Sequence, residues 1–254
     1  MRFNLIASGS EGNSLVIKGK STNILIDFGI SKKRVNEGLF SLSLSFDDID
    51  AFLITHLHSD HAKGIKYAPV EKIYSGDPFI PEIDKPIREE NILKDFQKIQ
   101  IGEFSITSLP VSHDVKNYAF VVDDGNEKLC YLTDTGIVPE KDFPYLNNLN
   151  YYIFESNYNT QLLLNSGRPK QLIKRITSSK GHMSNEESAY YLTTLLGENT
   201  KEIVLSHLSR ECNDKNLAID TFKEVSSSIL GYVPDIKIKA STFTEMIFGG
   251  EDDH

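Results

Sequence analysis

The stretch that decides the fold is "FLITHLHSDHAKGI", Phe52 to Ile65, where an apolar run is followed by three histidines and an aspartate within six positions. Such side chains gain little from burial unless something pairs with them. The apolar run is typical of a strand, so the cluster is predicted to lie at that strand's end. In extended backbone His56 and His58 point to the same side and can bind one cation, and Asp60 and His61 can reach a second. We interpret this loop as part of a metal site.

Composition limits the class of protein. The chain has 254 residues, of which 39% are hydrophobic, as in a globular protein with a sizeable core. Its longest apolar runs are far shorter than the roughly 20 residues of a membrane span, and its first residues lack the apolar segment of a signal peptide. Cys130 and Cys212 are too few for a disulfide framework. We expect a cytoplasmic protein that makes no membrane contact.

Charge is unevenly distributed along the chain. The net charge of −9 argues against a nonspecific nucleic-acid-binding protein. Between Ser156 and Asn185, however, there is no acidic residue, and this segment carries the basic residues Arg168, Lys170, Lys174, Arg175 and Lys180. A run of this kind is usually a solvated helix face, and phosphate binding is the alternative.

No repeat or linker divides the sequence, so we expect one domain over residues 1–248, followed by a disordered acidic tail at 249–254. Helices are predicted mainly in the last third, including "PKQLIKRITSS", "DKNLAIDTFKEVSSSILG" and "SNEESAYYLTTLLGEN", in which Ser184 and Glu187 have capping-box spacing. Predicted strands, recognised as β-branched or aromatic runs bounded by turn residues, are "RFNLIAS", "SLVIKG", "TNILIDF", "DAFLITH", "KIYSG", "FSITSLPV", "NYAFVVDD", "KLCYLTD", "YYIFES", "EIVLSH" and "IKIKA". This pattern is typical of an α/β sandwich whose helices cover two sheets.

A site for two cations needs more ligands than the histidine-rich loop supplies. His113 follows "SITSLPVS", Asp134 follows "KLCYL" and His207 follows "EIVLS", so each lies where the apolar run of a strand stops. Taken singly, each would more often be a capping or hydrogen-bonding residue. Taken together, they supply the additional ligands that a dinuclear site needs.

These residues, in this order, resemble the metallo-β-lactamase superfamily, whose signature is an HxHxDH loop followed by a histidine, an aspartate and a final histidine. The resemblance implies a four-layer αββα sandwich. It also implies that one metal is held by His56, His58 and His113 and the other by Asp60, His61 and His207. In the superfamily pattern Asp134 would bridge the two metals, and Asp27 in "LIDFG" would support a ligand.

Further stretches resemble one branch of that superfamily. "LIASGSEGNS", "RPKQLIKRITSSKGHMSN" and "SHLSRECND" are similar to the YycJ family, also called WalJ, of exonucleases. The resemblance implies a bacterial intracellular enzyme that degrades DNA from a 5′ end with two divalent ions and a metal-bridging hydroxide as nucleophile. Manganese or zinc is expected, and iron also fits such ligands. An aspartate at the bridging position, where common β-lactamases have a cysteine nearby, suits attack on phosphorus.

His182 lies two residues before Ser184, the predicted N-cap of a helix, where backbone amides attract phosphate. A histidine there can stabilise transition-state oxygens or protonate the leaving group, so we interpret His182 as catalytic together with Asp60. The basic run then becomes a candidate phosphate track. The predicted substrate-binding residues are Arg168, Lys170, Lys174 and Lys180, with Ser10, Asn13 and Asn157 added by the family resemblance.

Two other functions are alternatives at this stage. A small-molecule hydrolase of the same fold, either a cyclic-phosphate diesterase or a thioesterase, would need no extended basic track. A metal-binding protein without hydrolytic activity is disfavoured, because no ligand of the predicted set is missing from the sequence.

Overall fold

The runs predicted as strands are strands in the computed structural model, which describes residues 1–250. Within that range the strands are β1 (Arg2–Ala7), β2 (Ser14–Lys18), β3 (Asn23–Ile26), β4 (Ala51–Ile54), β5 (Ile73–Ser75), β6 (Phe79–Ile80), β7 (Lys85–Pro86), β8 (Lys98–Ile101), β9 (Phe104–Pro110), β10 (Tyr118–Asp123), β11 (Lys128–Leu132), β12 (Tyr151–Glu155), β13 (Glu202–Ser206), β14 (Lys237–Ala240) and β15 (Ile247–Gly250). Strands β6, β7, β8 and β15 were not predicted from the sequence.

The helices of the described chain are α1 (Lys32–Phe40), α2 (Ser59–Ala62), α3 (Phe143–Leu146), α4 (Thr160–Leu164), α5 (Lys170–Ile176), α6 (Asn185–Leu195) and α7 (Lys215–Leu230). The capping box predicted at Ser184 and Glu187 is confirmed at the start of α6. Pro169 is the N-cap of α5 rather than part of its first turn. Among residues 1–250, no helix is both long and apolar enough to cross a bilayer.

The chain divides into two compact units. Among the described residues, the first unit contains 1–110, 115–127 and 243–250, and the second contains 111–114 and 128–242. One domain over residues 1–248 stays a prediction. The tail predicted at 249–254 is wrong in its first two residues, because Gly249 and Gly250 belong to β15 and pair with β1. The rest of that tail lies outside the described residues.

The first unit is built on a six-stranded sheet in the order β15-β1-β2-β3-β4-β5. The pairs β3–β4 and β4–β5 are parallel, so the carboxyl ends of these strands lie at one edge of the sheet. Helix α1 packs on β1 and β2 through its buried residues Val35 and Leu39. Strands β8, β9 and β10 form antiparallel pairs in the same unit. The loops after β3 and β4 carry Asp27 and the histidine-rich stretch.

The second unit is built on the parallel strands β11, β12, β13 and β14, which pair in that order. Helix α7 packs on β14 and on α6. Parallel strands place their carboxyl ends at one edge, where ligands of open α/β sheets usually bind. Asp134, Glu155 and His207 all lie at this edge, at or just after the last residue of β11, β12 and β13.

Candidate metal centre

The first unit contributes the first ligand set, which we define as His56, His58, Asp60 and His61. His56 follows β4 by two residues, and His58 is the N-cap of the short helix α2. The Nε2 atom of His56 lies 3.1 Å from the Nδ1 atom of His58. Because a zinc–imidazole bond is about 2.0–2.1 Å long, two nitrogens at this separation can bind one cation.

Asp27 and Thr55 fix the orientation of the His61 ring on its Nδ1 side. The Nδ1 atom of His61 lies 2.6 Å from Oδ2 of Asp27, and both side chains are fully buried. Thr55 fixes the carboxylate in turn, because its backbone N–H and its hydroxyl each donate to Oδ1 of Asp27 at 2.9 Å. With Nδ1 engaged by Asp27, Nε2 is the nitrogen through which His61 would bind a metal, as in the carboxylate–histidine–metal arrangement, and Asn13 Nδ2 lies 2.9 Å from it. Thr55 was not singled out in the sequence.

Glycine is required at position 29 because the loop that carries His58, Asp60 and His61, which we call the ligand loop, passes directly over it. A Cβ atom at Gly29 would lie 1.5 Å from the backbone oxygen of Asp60. That same oxygen accepts a hydrogen bond from the backbone N–H of Asn13 at 2.8 Å, and Phe28 N–H donates to the His61 oxygen at 2.7 Å. The main chain around Gly29 therefore sets the position of Asp60 and His61.

Gly29→Ala is expected to displace the ligand loop and weaken metal binding by about 10-fold or more, the range seen when the support of a metal ligand is removed. Metal affinity measured by competition with a coloured chelator checks this. Gly125→Ala is the control for a strained glycine substitution away from the metal site, because Gly125 has a φ of 89° but nothing lies within 4 Å of a Cβ at that position. Equal metal affinity in the two variants would contradict the role of Gly29.

Three candidate residues at strand ends share an unusual backbone conformation. Asp27, Asp134 and His207 have φ angles of 58°, 55° and 57°. Positive φ is uncommon outside glycine and costs of order 1–3 kcal/mol per residue, so it persists where the surroundings impose it. The left-handed turn redirects each side chain at the point where its strand ends.

The second unit contributes the second ligand set, which we define as His113, Asp134 and His207. The Nε2 atom of His207 lies 3.6 Å from Oδ2 of Asp134. His182 lies beside them, with Nδ1 3.7 Å from Oδ1 of Asp134 and its ring stacked on His207 at a centroid distance of 5.3 Å. One ligand atom each from Asp134, His182 and His207 falls within 4.8 Å of the others, close enough to surround a cation.

Glu155 is the main functional candidate that the sequence reasoning missed. Its Oε1 atom lies 2.6 Å from Nδ1 of His182 and 3.4 Å from Nδ1 of His207, while Oε2 accepts from Thr135 N–H at 2.8 Å. Burial by itself raises the pKa of Glu155, but the charges and hydrogen bonds of His182 and His207 hold it below its usual value. A carboxylate ending the apolar strand "YYIFE" was the available signal.

His113 has an acidic neighbour in the second unit. Its Nε2 atom lies 3.3 Å from Oδ1 of Asp114, and Arg175 pairs with the other oxygen of Asp114 at 2.6 Å. Burial is the largest influence on the pKa of His113 and lowers it, despite the opposing charges of Asp134 and Asp114. A neutral imidazole is the form that binds a metal.

Three of the predicted substrate-binding residues contact other residues of the protein. Asn13 is fully buried, and its Nδ2 lies 2.9 Å from Nε2 of His61. Asn157 donates to the backbone oxygen of His207 at 2.7 Å. Arg168 pairs with Glu211 at 2.8 Å, so part of its charge is already neutralised. Asn13 and Asn157 are therefore buried beside the predicted ligands His61 and His207, which they contact.

The other predicted substrate-binding residues are accessible. Ser10 lies in the exposed turn between β1 and β2, and the basic side chains on and after α5 are exposed. These are Lys170, Lys174 and Lys180. The substrate roles of all four residues stay predictions.

The donor chemistry of both sets fits divalent cations. Imidazole nitrogens suit zinc, iron and manganese sites, and carboxylates such as Asp134 add the hard oxygen ligands. The supporting bonds also fit, because His61 and His207 each have one ring nitrogen near a buried carboxylate, Asp27 or Glu155. The chain therefore carries residues suited to binding divalent metal.

Comparison with known proteins decides the family. A model described as the Beta-lactamase superfamily domain matches residues 22–208. The exodeoxyribonuclease WalJ of Streptococcus pneumoniae is 32% identical over 253 residues, covering 93% of each chain. The chain belongs to the WalJ/YycJ family of the metallo-β-lactamase superfamily. The exodeoxyribonuclease YycJ of Bacillus anthracis is 35% identical over 235 residues, covering 86% of each chain.

Solved structures support the same fold. The metallo-β-lactamase fold protein YhfI of Bacillus subtilis aligns with a TM-score of 0.67 and 18% identity, covering 98% of this chain and 99% of that one. The predicted family and the predicted metallo-β-lactamase fold are thus both confirmed. Membership of the WalJ/YycJ family makes the chain a metal-dependent hydrolase.

Proposed function

We propose that this hydrolase is a dinuclear phosphodiesterase that degrades DNA in the 5′ to 3′ direction in the bacterial cytoplasm. The observation that carries the proposal is that both ligand sets are complete in a chain related over most of its length to two exodeoxyribonucleases. A protein that had lost hydrolytic activity would have no need to retain every ligand.

Ligands from both sets hold the metals in this proposal. His56, His58 and His113 would hold one ion, and Asp60, His61 and His207 would hold the other, with Asp134 as a further ligand. The metals are manganese or zinc, and iron fits the same ligands. When bound, such cations supply the attacking hydroxide and neutralise charge on the phosphate.

The chain's own residues then position and protonate the substrate. Asp60 contributes its negative charge to the site and is required for activity. His182 is 23% exposed and contacts Glu155 through Nδ1, so Nε2 is the nitrogen that acts on the substrate in this proposal. It can protonate the leaving oxygen or donate a hydrogen bond to it. Glu155 orients the ring, because its carboxylate lies beside Nδ1.

Basic residues guide the flanking phosphates. Lys170, Lys174 and Lys180 are exposed on or just after α5, in a segment that lacks acidic residues. Arg168 contributes less, because Glu211 already pairs with it. Ser10 lies in the exposed β1–β2 turn and is a further contact. Since such contacts release counterions from DNA, binding should weaken as salt rises.

Degradation of 5′-labelled double-stranded DNA by the purified protein tests the function. We expect short labelled products early with Mn²⁺, none with EDTA, and slower loss of label from the same duplex labelled at its 3′ end. Early release of the 3′ label would contradict the proposed direction. Intact DNA, with metal analysis showing a filled site, would overturn the nuclease proposal in favour of small phosphodiesters or thioesters.

A further inference from the structure

A pocket of about 330 Å³ lies in the first unit, among residues that the nuclease proposal leaves unused. We call it the aromatic-lysine pocket and define it by the lining residues Lys32, Phe46, Asp47, Tyr67, Pro69 and Lys72. Lys32 is the first residue of α1, and Tyr67 ends the single turn Ile65–Tyr67 that follows the ligand loop. The volume is at the lower end for ligand sites and suits one small aromatic group.

The aromatic rings of the pocket are held by packing. Tyr67 is 48% exposed, yet its ring centroid lies 6.3 Å from that of the buried Phe28. Phe46 lies 5.8 Å from Phe28 and 5.4 Å from the buried Phe52. A partly exposed ring with a fixed aromatic backing loses little conformational entropy when a planar ligand stacks on it.

Lysines make the pocket positive. The Lys32 ammonium lies 4.3 Å from the Phe46 centroid and 5.6 Å from that of Tyr67, and the Lys66 ammonium is 5.5 Å from Tyr67. Lys72 also lines the pocket, while Asp47 is the acidic side chain among its lining residues. Ammonium groups beside exposed rings can pair with a phosphate while the rings stack with the attached base.

We propose that the aromatic-lysine pocket binds one nucleotide of a DNA strand, with its base stacked on Tyr67 and its phosphate near Lys32 and Lys66. This inference rests on the proposed function in taking DNA as the ligand. The pocket is also tied to the ligand loop, because Phe28 donates through its N–H to the His61 oxygen and accepts from Gly64 N–H, both at 2.7 Å. A nucleotide bound in the pocket anchors the DNA strand on the unit that carries the first ligand set.

Binding of a phosphorothioate-linked thymidine oligonucleotide, which resists hydrolysis, tests the stacking role by fluorescence anisotropy on the full chain with its metals. Tyr67→Leu is expected to weaken binding about 5- to 100-fold, the range found for losing one base–aromatic stack. Tyr67→Phe keeps the ring and should bind as the wild type does. Tyr232→Leu is the matched control, because Tyr232 is 61% exposed and does not line the pocket.

Charge is tested separately with neighbouring lysines of α1. Lys32→Gln should weaken binding at least about 3-fold and reduce its salt dependence, whereas Lys33→Gln, at a side chain 87% exposed, should change neither. With an abasic oligonucleotide of equal length, Tyr67→Leu should lose its effect and Lys32→Gln should keep it. If Tyr67→Leu fails to fold, the comparison of Lys32→Gln with Lys33→Gln tests the pocket proposal by itself.

The outcomes separate the pocket from the nuclease activity. Wild-type affinity in both Tyr67→Leu and Lys32→Gln, or equal losses in the controls, would overturn the pocket proposal, even if the protein degrades DNA. Pocket-dependent binding without any cleavage would keep the pocket and overturn the nuclease proposal. Absence of oligonucleotide binding by the wild type would overturn the pocket proposal directly.

Discussion

His182→Ala is expected to slow DNA cleavage about 100-fold or more while the metal content stays at the wild-type value. The reason is the position of this side chain. Its Nδ1 atom lies 2.6 Å from the buried carboxylate of Glu155, which fixes the ring. The ring also lies beside Asp134 and is stacked on His207, so it is close to two predicted metal ligands.

Single-turnover rates on labelled DNA and metal analysis of the same samples check this result. Ser184→Ala is the matched control: it removes the cap of α6 two residues further on, and should lower the unfolding temperature without a comparable loss of rate. Glu155→Gln should give an intermediate rate, since it keeps the shape but loses the charge. An unchanged rate in His182→Ala would show that His182 has no catalytic role, and loss of a metal ion would make it a ligand instead.

The local parts of the fold could be predicted from sequence because they depend on short patterns. The strand β4 and the loop after it were evident from the apolar run and the spacing of His56, His58, Asp60 and His61. The start of α6 was likewise evident from its capping box. In each case the residues that decide the structure lie within a few positions of one another, so one sequence suffices.

Elements that depend on distant partners could not be predicted. Strand β15, with two glycines in four residues, has little strand propensity and forms because it pairs with β1 at the other end of the chain. Helix α1 contains Gly38, which lowers helix propensity but allows close packing on Ile6. Tertiary contacts decide both elements, and a short window does not contain them.

The same distinction applies to the candidate site. The predicted ligands could be found because their residue types are uncommon at strand ends, but their supports are ordinary residues. Glu155 and Thr55 become notable only through contacts with His182 and with Asp27, which lie 27 and 28 positions away. The pairing of Arg168 was likewise not readable from its own segment, because its partner Glu211 lies 43 positions further on.

Asp60→Asn is expected to remove one of the two proposed metal ions and to lower the cleavage rate by at least about 100-fold. The substitution keeps the size of the side chain but removes a negative charge and an anionic oxygen ligand. The loop itself should persist, because Asp60 is held through its backbone oxygen by Asn13 N–H at 2.8 Å and its side chain is 23% exposed.

The metal content measured by mass spectrometry should then fall from two ions per chain in the wild type to one in Asp60→Asn. The unfolding temperature of this variant should be near that of the metal-depleted wild type or above it. Asp235→Asn, at an exposed position of the second unit, controls for the loss of one surface charge and should retain both ions and full activity. In the proposed arrangement the remaining ion keeps its own imidazole ligands. Loss of both ions from Asp60→Asn would therefore show that the two metal sites are filled cooperatively. Near-normal cleavage with full metal content in Asp60→Asn would refute the assignment of Asp60 as a ligand.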